Sequence, residues 1–175
     1  MNNFNFSTVL VPVIVLILVA LLLFYFLNKV ENKTFFKRFI FIMLVMAFLL
    51  NFAWEVAQVP LYKGASYNKE HITFCALASV ADTIMVLLLY FSFGLINNNP
   101  LWVQRLTLLR ILILMLAGGL GAVAVEIKYL SSGTWAYDTS MPLIPIAKVG
   151  LLPVLQFMLL PACIYYLSYK MNNQA

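Results

Sequence analysis

The segment FIFIMLVMAFLLNFAWEVAQVPLY, residues 39–62, decides the fold. It begins as an unbroken apolar run, which Asn51, Glu55 and Gln58 interrupt before it ends at Pro60. About 20 apolar residues are enough for a helix to cross the hydrocarbon core of a bilayer, which is about 30 Å thick. The segment therefore predicts a transmembrane helix with an acid at membrane depth, where an ionised carboxylate costs about 2.5–3.5 kcal/mol.

The rest of the chain repeats this apolar pattern. Of the 175 residues, 64% are hydrophobic and 10% are charged, whereas soluble domains are roughly 45–50% apolar and 25% charged. Five apolar runs are separated by short polar breaks, at residues 8–28, 38–59, 72–96, 106–127 and 149–168. The predicted fold class is all-α, a polytopic membrane helical bundle of about five transmembrane helices. Residues 1–175 form a single transmembrane domain.

The basic residues lie mostly beside the apolar runs. This distribution indicates membrane anchoring, and we predict no nucleic-acid partner despite the net charge of +5. Loops on the cytoplasmic side carry an excess of Lys and Arg. With five spans, the larger group lies on the side of the carboxyl terminus: Lys29, Lys33, Lys37, Arg38, Arg105, Arg110 and Lys170. The smaller group is Lys63, Lys69, Lys128 and Lys148. We therefore predict a multi-pass protein of the cell inner (plasma) membrane, with its amino terminus outside and its carboxyl terminus cytoplasmic.

Polar residues recur at helical spacing on two of the predicted spans. Because successive helix residues turn by about 100°, Asn51, Glu55 and Gln58 share a face about 60° wide. On the next span, His71 and Asp82 lie with Cys75 and Ser79 on a face of about 80°. Each span therefore carries a polar stripe.

Three acids are predicted to converge from the non-cytoplasmic side. Glu55 lies about 7 Å below the boundary marked by Pro60, and Glu126 reaches a similar level on the fourth span. Asp82 lies about 16 Å beyond His71, near the bilayer midplane. No Lys or Arg lies within the spans at these depths. The carboxyl groups must therefore be protonated, share a proton, pair with His71, bind a cation or face a water-filled cavity.

Intramembrane acids are functional by default, so Glu55, Glu126, Asp82 and His71 are the candidate catalytic residues. Amide and aromatic side chains near them are candidate ligand-binding residues: Asn51, Trp54, Gln58, Trp135, Tyr137 and Gln156. The amides also fit interhelical hydrogen bonding, and the aromatic residues, together with Tyr62, fit an interfacial belt. No HExxH or Cys-pair pattern is present, so we predict neither a metal site nor a cofactor.

Two segments carry a resemblance to known families. NFAWEVAQVPLY and GTWAYDTSMPLIP resemble the signature segments of a family of small, uncharacterised bacterial integral membrane proteins. The order of acids, the aromatic loop and Gln156 before Pro161 is similar to the emopamil-binding and sterol-isomerase group, with Gln156 and Asn51 replacing an asparagine and a histidine of that pattern. The segment from Glu126 to Pro142 resembles membrane carotenoid cyclases and hydratases. The first resemblance implies no activity. The other two imply a lipid-facing cavity in which carboxylates and aromatic rings handle sterol-like or isoprenoid ligands.

Two classes of function remain open on the sequence. The first is a protein that binds, and as an enzyme would isomerise, hydrate or cyclise, a membrane lipid or hydrophobic small molecule in a pocket open to the non-cytoplasmic side. The alternative is a proton- or ion-coupled transporter or channel component, with Asp82 and His71 as the relay, or a structural subunit of a membrane complex. Five spans without an inverted repeat would require a transporter to form a homo-oligomer.

Overall fold

A computed structural model describes residues 6–174, with side chains from Val13 onward. Over that range all regular structure is helical and no strand is formed, which confirms the all-α bundle. The five long helices are α1 (Phe6–Lys29), α2 (Lys33–Gln58), α3 (Lys69–Ile96), α4 (Leu108–Ser131) and α5 (Leu151–Gln174). Two short 3-10 helices, Val59–Leu61 and Trp102–Arg105, lie in the connections after α2 and α3.

Four helices are long and apolar enough to cross a membrane: α2 with the turn that follows it, α3, α4 and α5. The part of α1 with described side chains, Val13–Lys29, is also apolar but shorter. Large apolar side chains cover the outside of the bundle, among them Leu21, Phe41, Leu77 and Leu120. Such a surface is stable in a hydrocarbon solvent, and the chain is a multi-pass membrane protein.

Helices α2 and α5 extend furthest beyond their apolar runs. α2 begins at Lys33 because the side chain of Asn32 accepts a hydrogen bond from the amide of Phe35, at 2.9 Å, and so caps the helix. α5 continues to Gln174, and its last turn holds the buried Asn172. Both the oxygen and the nitrogen of the Asn172 side-chain amide are hydrogen-bonded. The Nε of Arg38 donates to Asn172 Oδ1 at 2.6 Å, and Asn172 Nδ2 donates to the carbonyl of Phe35 at 3.1 Å. The apolar run measures the hydrocarbon thickness and not the full helix.

α2 lies at the centre of the bundle, between α3 and α5, while α1 packs mainly on α3 and α4 mainly on α5. An aromatic cluster fills the end of the bundle where α2 begins. Tyr90 lies 5.4 Å from Phe39, 5.7 Å from Trp102 and 5.3 Å from Tyr165, measured between ring centroids. Trp102 is fully buried, and its indole N–H donates to the carbonyl of Tyr90 at 3.1 Å. This cluster closes the end opposite the three acids.

α4 and α5 approach closely at Gly118. A Cβ built on Gly118 would lie 2.1 Å from the carbonyl oxygen of Phe157. Pro161, four residues after Phe157, has no N–H, so it cannot bond that carbonyl within the helix. The carbonyl that lacks this helical partner lies against the α4 backbone, where a glycine leaves enough room.

Candidate functional site

The candidate site lies at the end of the bundle where α2 and α4 end and α3 and α5 begin. Two connections meet there, residues 59–68 and 132–150. Tyr62 and Tyr137 form an isolated antiparallel bridge. On either side of it, the amide of Lys63 donates to the carbonyl of Ala136 and the amide of Asp138 donates to the carbonyl of Leu61, both at 2.9 Å. The long aromatic loop is thereby fixed across the end of α2.

Glu126, near the end of α4, is buried and bonded to this loop. Its Oε2 accepts hydrogen bonds from the Tyr137 hydroxyl and from the Trp135 indole N–H, the latter at 3.3 Å. Burial, and then the hydrogen bond to Glu126, raise the pKa of Tyr137 above its usual value. Tyr137 therefore stays a neutral donor, and two aromatic side chains hold one carboxyl oxygen of Glu126.

Tyr62 lies beside this acid, although the sequence placed it only in an interfacial belt. Its ring centroid is 5.6 Å from that of Tyr137 and 6.5 Å from that of Trp135. Burial, followed by the negative charges of Glu126 and Glu55, raises the pKa of the Tyr62 hydroxyl. Tyr62 is a site residue that sequence reasoning missed, because an aromatic residue just past a span has the same local pattern in a belt and in a site.

Glu55 and Gln58 form a pair on the last turns of α2. Gln58 is only 2% exposed, and its Nε2 donates to Glu55 Oε1 at 2.8 Å. The other end of this amide, Gln58 Oε1, is buried and accepts no hydrogen bond. The indole Nε1 of Trp54 is likewise buried and donates none. Both atoms belong to residues on the same face of α2, because they are four positions apart.

A chain of side-chain amides connects α2, α5 and α3. Asn51 Nδ2 donates to the carbonyl of Ala47 at 2.8 Å, so Asn51 Oδ1 is left as an acceptor. That oxygen accepts from Gln156 Nε2 at 2.9 Å, and the same Nε2 donates to Asp82 Oδ2 at 3.0 Å. Because the backbone carbonyl of Ala47 can only accept, the direction of every hydrogen bond in the chain is determined.

The three acids interact with one another and have no basic partner in the described part of the chain. Glu55 lies within electrostatic range of both Asp82 and Glu126. Their hydrogen-bond partners are amides, an indole and a phenol. His71 makes no hydrogen bond or ion pair with these acids; its ring Nδ1 lies 3.0 Å from Oδ1 of Asn68, the residue that caps α3. Within residues 6–174 no three His, Cys, Asp or Glu side chains are placed to hold a metal ion.

The structure thus divides the predicted site residues into groups. Asn51, Asp82 and Gln156 form a deep amide and carboxyl group. Glu126, Trp135 and Tyr137 form an outer group. Glu55 and Gln58 lie between them, with Trp54 on the same face of α2 as Gln58. Two surface cavities lie elsewhere and contain none of these residues, one along the start of α3 and one at the turn between α1 and α2.

Comparison with known proteins returned no match to this chain among protein-family models, curated proteins or solved structures. The family resemblances drawn from the two sequence segments therefore stay predictions. The assignment of a function rests on the geometry of the site.

Proposed function

We propose that the protein binds a hydrophobic, isoprenoid- or sterol-like ligand at the cluster of acids and aromatic rings below the 132–150 loop. The observation that carries this proposal is the environment of Glu126. This acid is buried, and its carboxyl group accepts hydrogen bonds from Tyr137 and Trp135. It lies within electrostatic range of Glu55, and among the described residues no basic side chain pairs with either acid. A purely structural helix contact is served better by apolar or small residues.

The membrane itself supplies the ligand in this proposal. Val125 and Ile127, on either side of Glu126 in the sequence, are 41% and 49% exposed on the outer surface of α4. A molecule dissolved in the hydrocarbon layer can therefore reach this level of the bundle without crossing water. Binding sites for small molecules are largely apolar and contain a few convergent polar groups, as this one does.

The same groups suit acid chemistry on an alkene. A neutral carboxyl group can donate a proton, and the faces of Tyr62, Trp135 and Tyr137 attract positive charge within about 6 Å of a ring centroid. Proton transfer from Glu126 or Glu55 to a double bond would create a carbocation that these rings stabilise. Isomerisation, hydration and cyclisation all proceed from that intermediate.

Ligand retention tests the proposal. We expect the protein purified in mild detergent to carry a non-phospholipid hydrophobic molecule, detected by native mass spectrometry and lipid extraction. Glu55→Gln and Glu126→Gln should each lower its occupancy about tenfold, equivalent to ~1.4 kcal/mol, because the amide cannot act as an acid or carry a charge. Glu70→Gln is the matched control, since Glu70 is an exposed acid in the first turn of α3. Wild-type occupancy in both variants would contradict the proposal.

We also propose that the site faces the non-cytoplasmic side of a bacterial plasma membrane. Cysteine labelling checks this in a background without Cys75 and Cys163. Tyr67→Cys, at an exposed position in the loop after α2, should react with a membrane-impermeant maleimide in intact cells. Gln104→Cys, exposed in the connection after α3, should react only after permeabilisation. The reverse pattern would invert the orientation.

A further inference from the structure

Two buried polar atoms on one face of α2 lack hydrogen-bond partners: Gln58 Oε1 and Trp54 Nε1. Buried polar groups in proteins are nearly always bonded, so such atoms call for an explanation. We infer that the ligand of this site carries a hydroxyl group, which donates to Gln58 Oε1 and accepts from the indole N–H of Trp54. This inference rests on the proposed function and narrows the ligand to an isoprenoid- or sterol-like alcohol.

The orientation of the Gln58 amide makes its oxygen the free end. Its Nε2 donates to Glu55 Oε1 at 2.8 Å, so a proton on the Glu55 carboxyl lies on its other oxygen, and a flipped amide would place two acceptors against each other. Gln58 is 2% exposed, so solvent does not supply the missing donor. Gln58 Oε1 is therefore a buried acceptor that lacks a donor, and burying it in this state costs free energy.

The chemistry of the two atoms selects the ligand group. An indole N–H only donates, and an amide oxygen only accepts. An ammonium group would satisfy Gln58 but not Trp54, a ketone would satisfy Trp54 but not Gln58, and a hydrocarbon would satisfy neither. A hydroxyl both donates and accepts, and the four-residue spacing puts both side chains on one face of the helix. A hydroxyl is therefore the simplest single group that satisfies both.

The surface of α2 beside these residues carries small, exposed side chains that the apolar part of such an alcohol would contact. Ala53 and Ala57, also four positions apart, are exposed and lie next to Trp54 and Gln58 in the sequence. Their methyl side chains form a narrow strip on the helix, bordered by the larger indole of Trp54. The hydroxyl end then lies beside Glu55, the acid that Gln58 holds.

The test compares two probes that differ in one hydrogen-bond donor: farnesol and its methyl ether. Binding of each to the full-length protein in nanodiscs is measured by native mass spectrometry titration. We expect farnesol to bind at least about tenfold more tightly than the ether in the wild type. Gln58→Leu should reduce this preference to about twofold or less. Trp54→Phe should weaken the binding of both probes several-fold and leave the preference in place, because an ether oxygen accepts from the indole N–H as a hydroxyl does. Gln104→Leu, an exposed glutamine without a side-chain hydrogen bond, should preserve it.

Each outcome decides between the claims. Equal binding of alcohol and ether would overturn the hydroxyl assignment and leave the proposed function standing. A preference that persists in Gln58→Leu would also overturn it, as would unchanged affinity of Trp54→Phe for both probes, and either result would assign the unpaired atom to a bound water. If neither probe bound, the proposed function would fail and this inference with it. Because Trp54→Phe keeps a ring of similar shape, its affinity for the two probes tests the contact with Trp54 even if Gln58→Leu does not fold.

Discussion

Gly118→Ala is expected to separate α4 from α5 and to give one of the two largest stability losses from single substitutions. The added Cβ would lie 2.1 Å from the carbonyl oxygen of Phe157, and no real Cβ contact is that short. The obstacle is backbone, so no side-chain rotation relieves it and the helices must move apart. We expect a loss of about 3 kcal/mol, at the upper end of overpacking costs, measured by denaturant titration in detergent micelles.

Gly121→Ala is the matched control on the same helix. Gly121 is exposed, and a Cβ built there meets no atom within 4 Å. Alanine also favours the helix over glycine by up to about 1 kcal/mol, so this variant should be as stable as the wild type or slightly more stable. Equal stability of the Gly118 and Gly121 variants would mean that α4 and α5 do not approach as closely as described.

The second large effect is expected from Gln156→Leu. The Nε2 of Gln156 is the shared donor for Asn51 Oδ1 and Asp82 Oδ2. Leucine has a similar size but donates nothing, so two acceptors within the bundle lose a partner. Each such loss costs about 1–3 kcal/mol, and because the amide joins three helices, we expect a cooperative drop in thermal stability in detergent. Differential scanning fluorimetry would measure it.

The control for this variant is Gln104→Leu. Gln104 is exposed in the short helix after α3, so its replacement should leave the melting temperature near that of the wild type. A double-mutant cycle of Gln156→Leu with Asn51→Leu adds a sharper readout, because bonded partners are non-additive. Additive losses would show that the two amides do not act together.

Apolar runs and helical periodicity predicted much of this architecture. All five helices follow from runs of about 20 apolar residues. The 100° rule placed Asn51 and Gln58 on one face of α2, and both are buried in the structure. The same rule put His71 on the face of Asp82, but helical spacing alone does not show that the residue capping a helix can bind a side chain of its first turn. At the first turn of α3, the side chain of Asn68 contacts the His71 ring.

Contacts between distant parts of the chain could not be read from local patterns. The bridge between Tyr62 and Tyr137 depends on how two connections fold over the bundle. In the sequence, the three glycines of the AGGLGA segment, residues 117–122, are equivalent candidates for close helix packing. In the structure Gly118 and Gly119 face α5, whereas Gly121 meets nothing. Which glycine faces a neighbour depends on which helix is the neighbour, and hydropathy does not identify it.

The amide chain from Ala47 to Asp82 has a consequence for the movement of charge. Carboxyl, imidazole and hydroxyl groups pass protons along because they both release and take them up at moderate pH. Side-chain amides such as those of Asn51 and Gln156 do neither, and their dipoles are locked in one direction by the backbone carbonyl at the end of the row. Protons therefore do not pass along this path between Asp82 and the middle of α2.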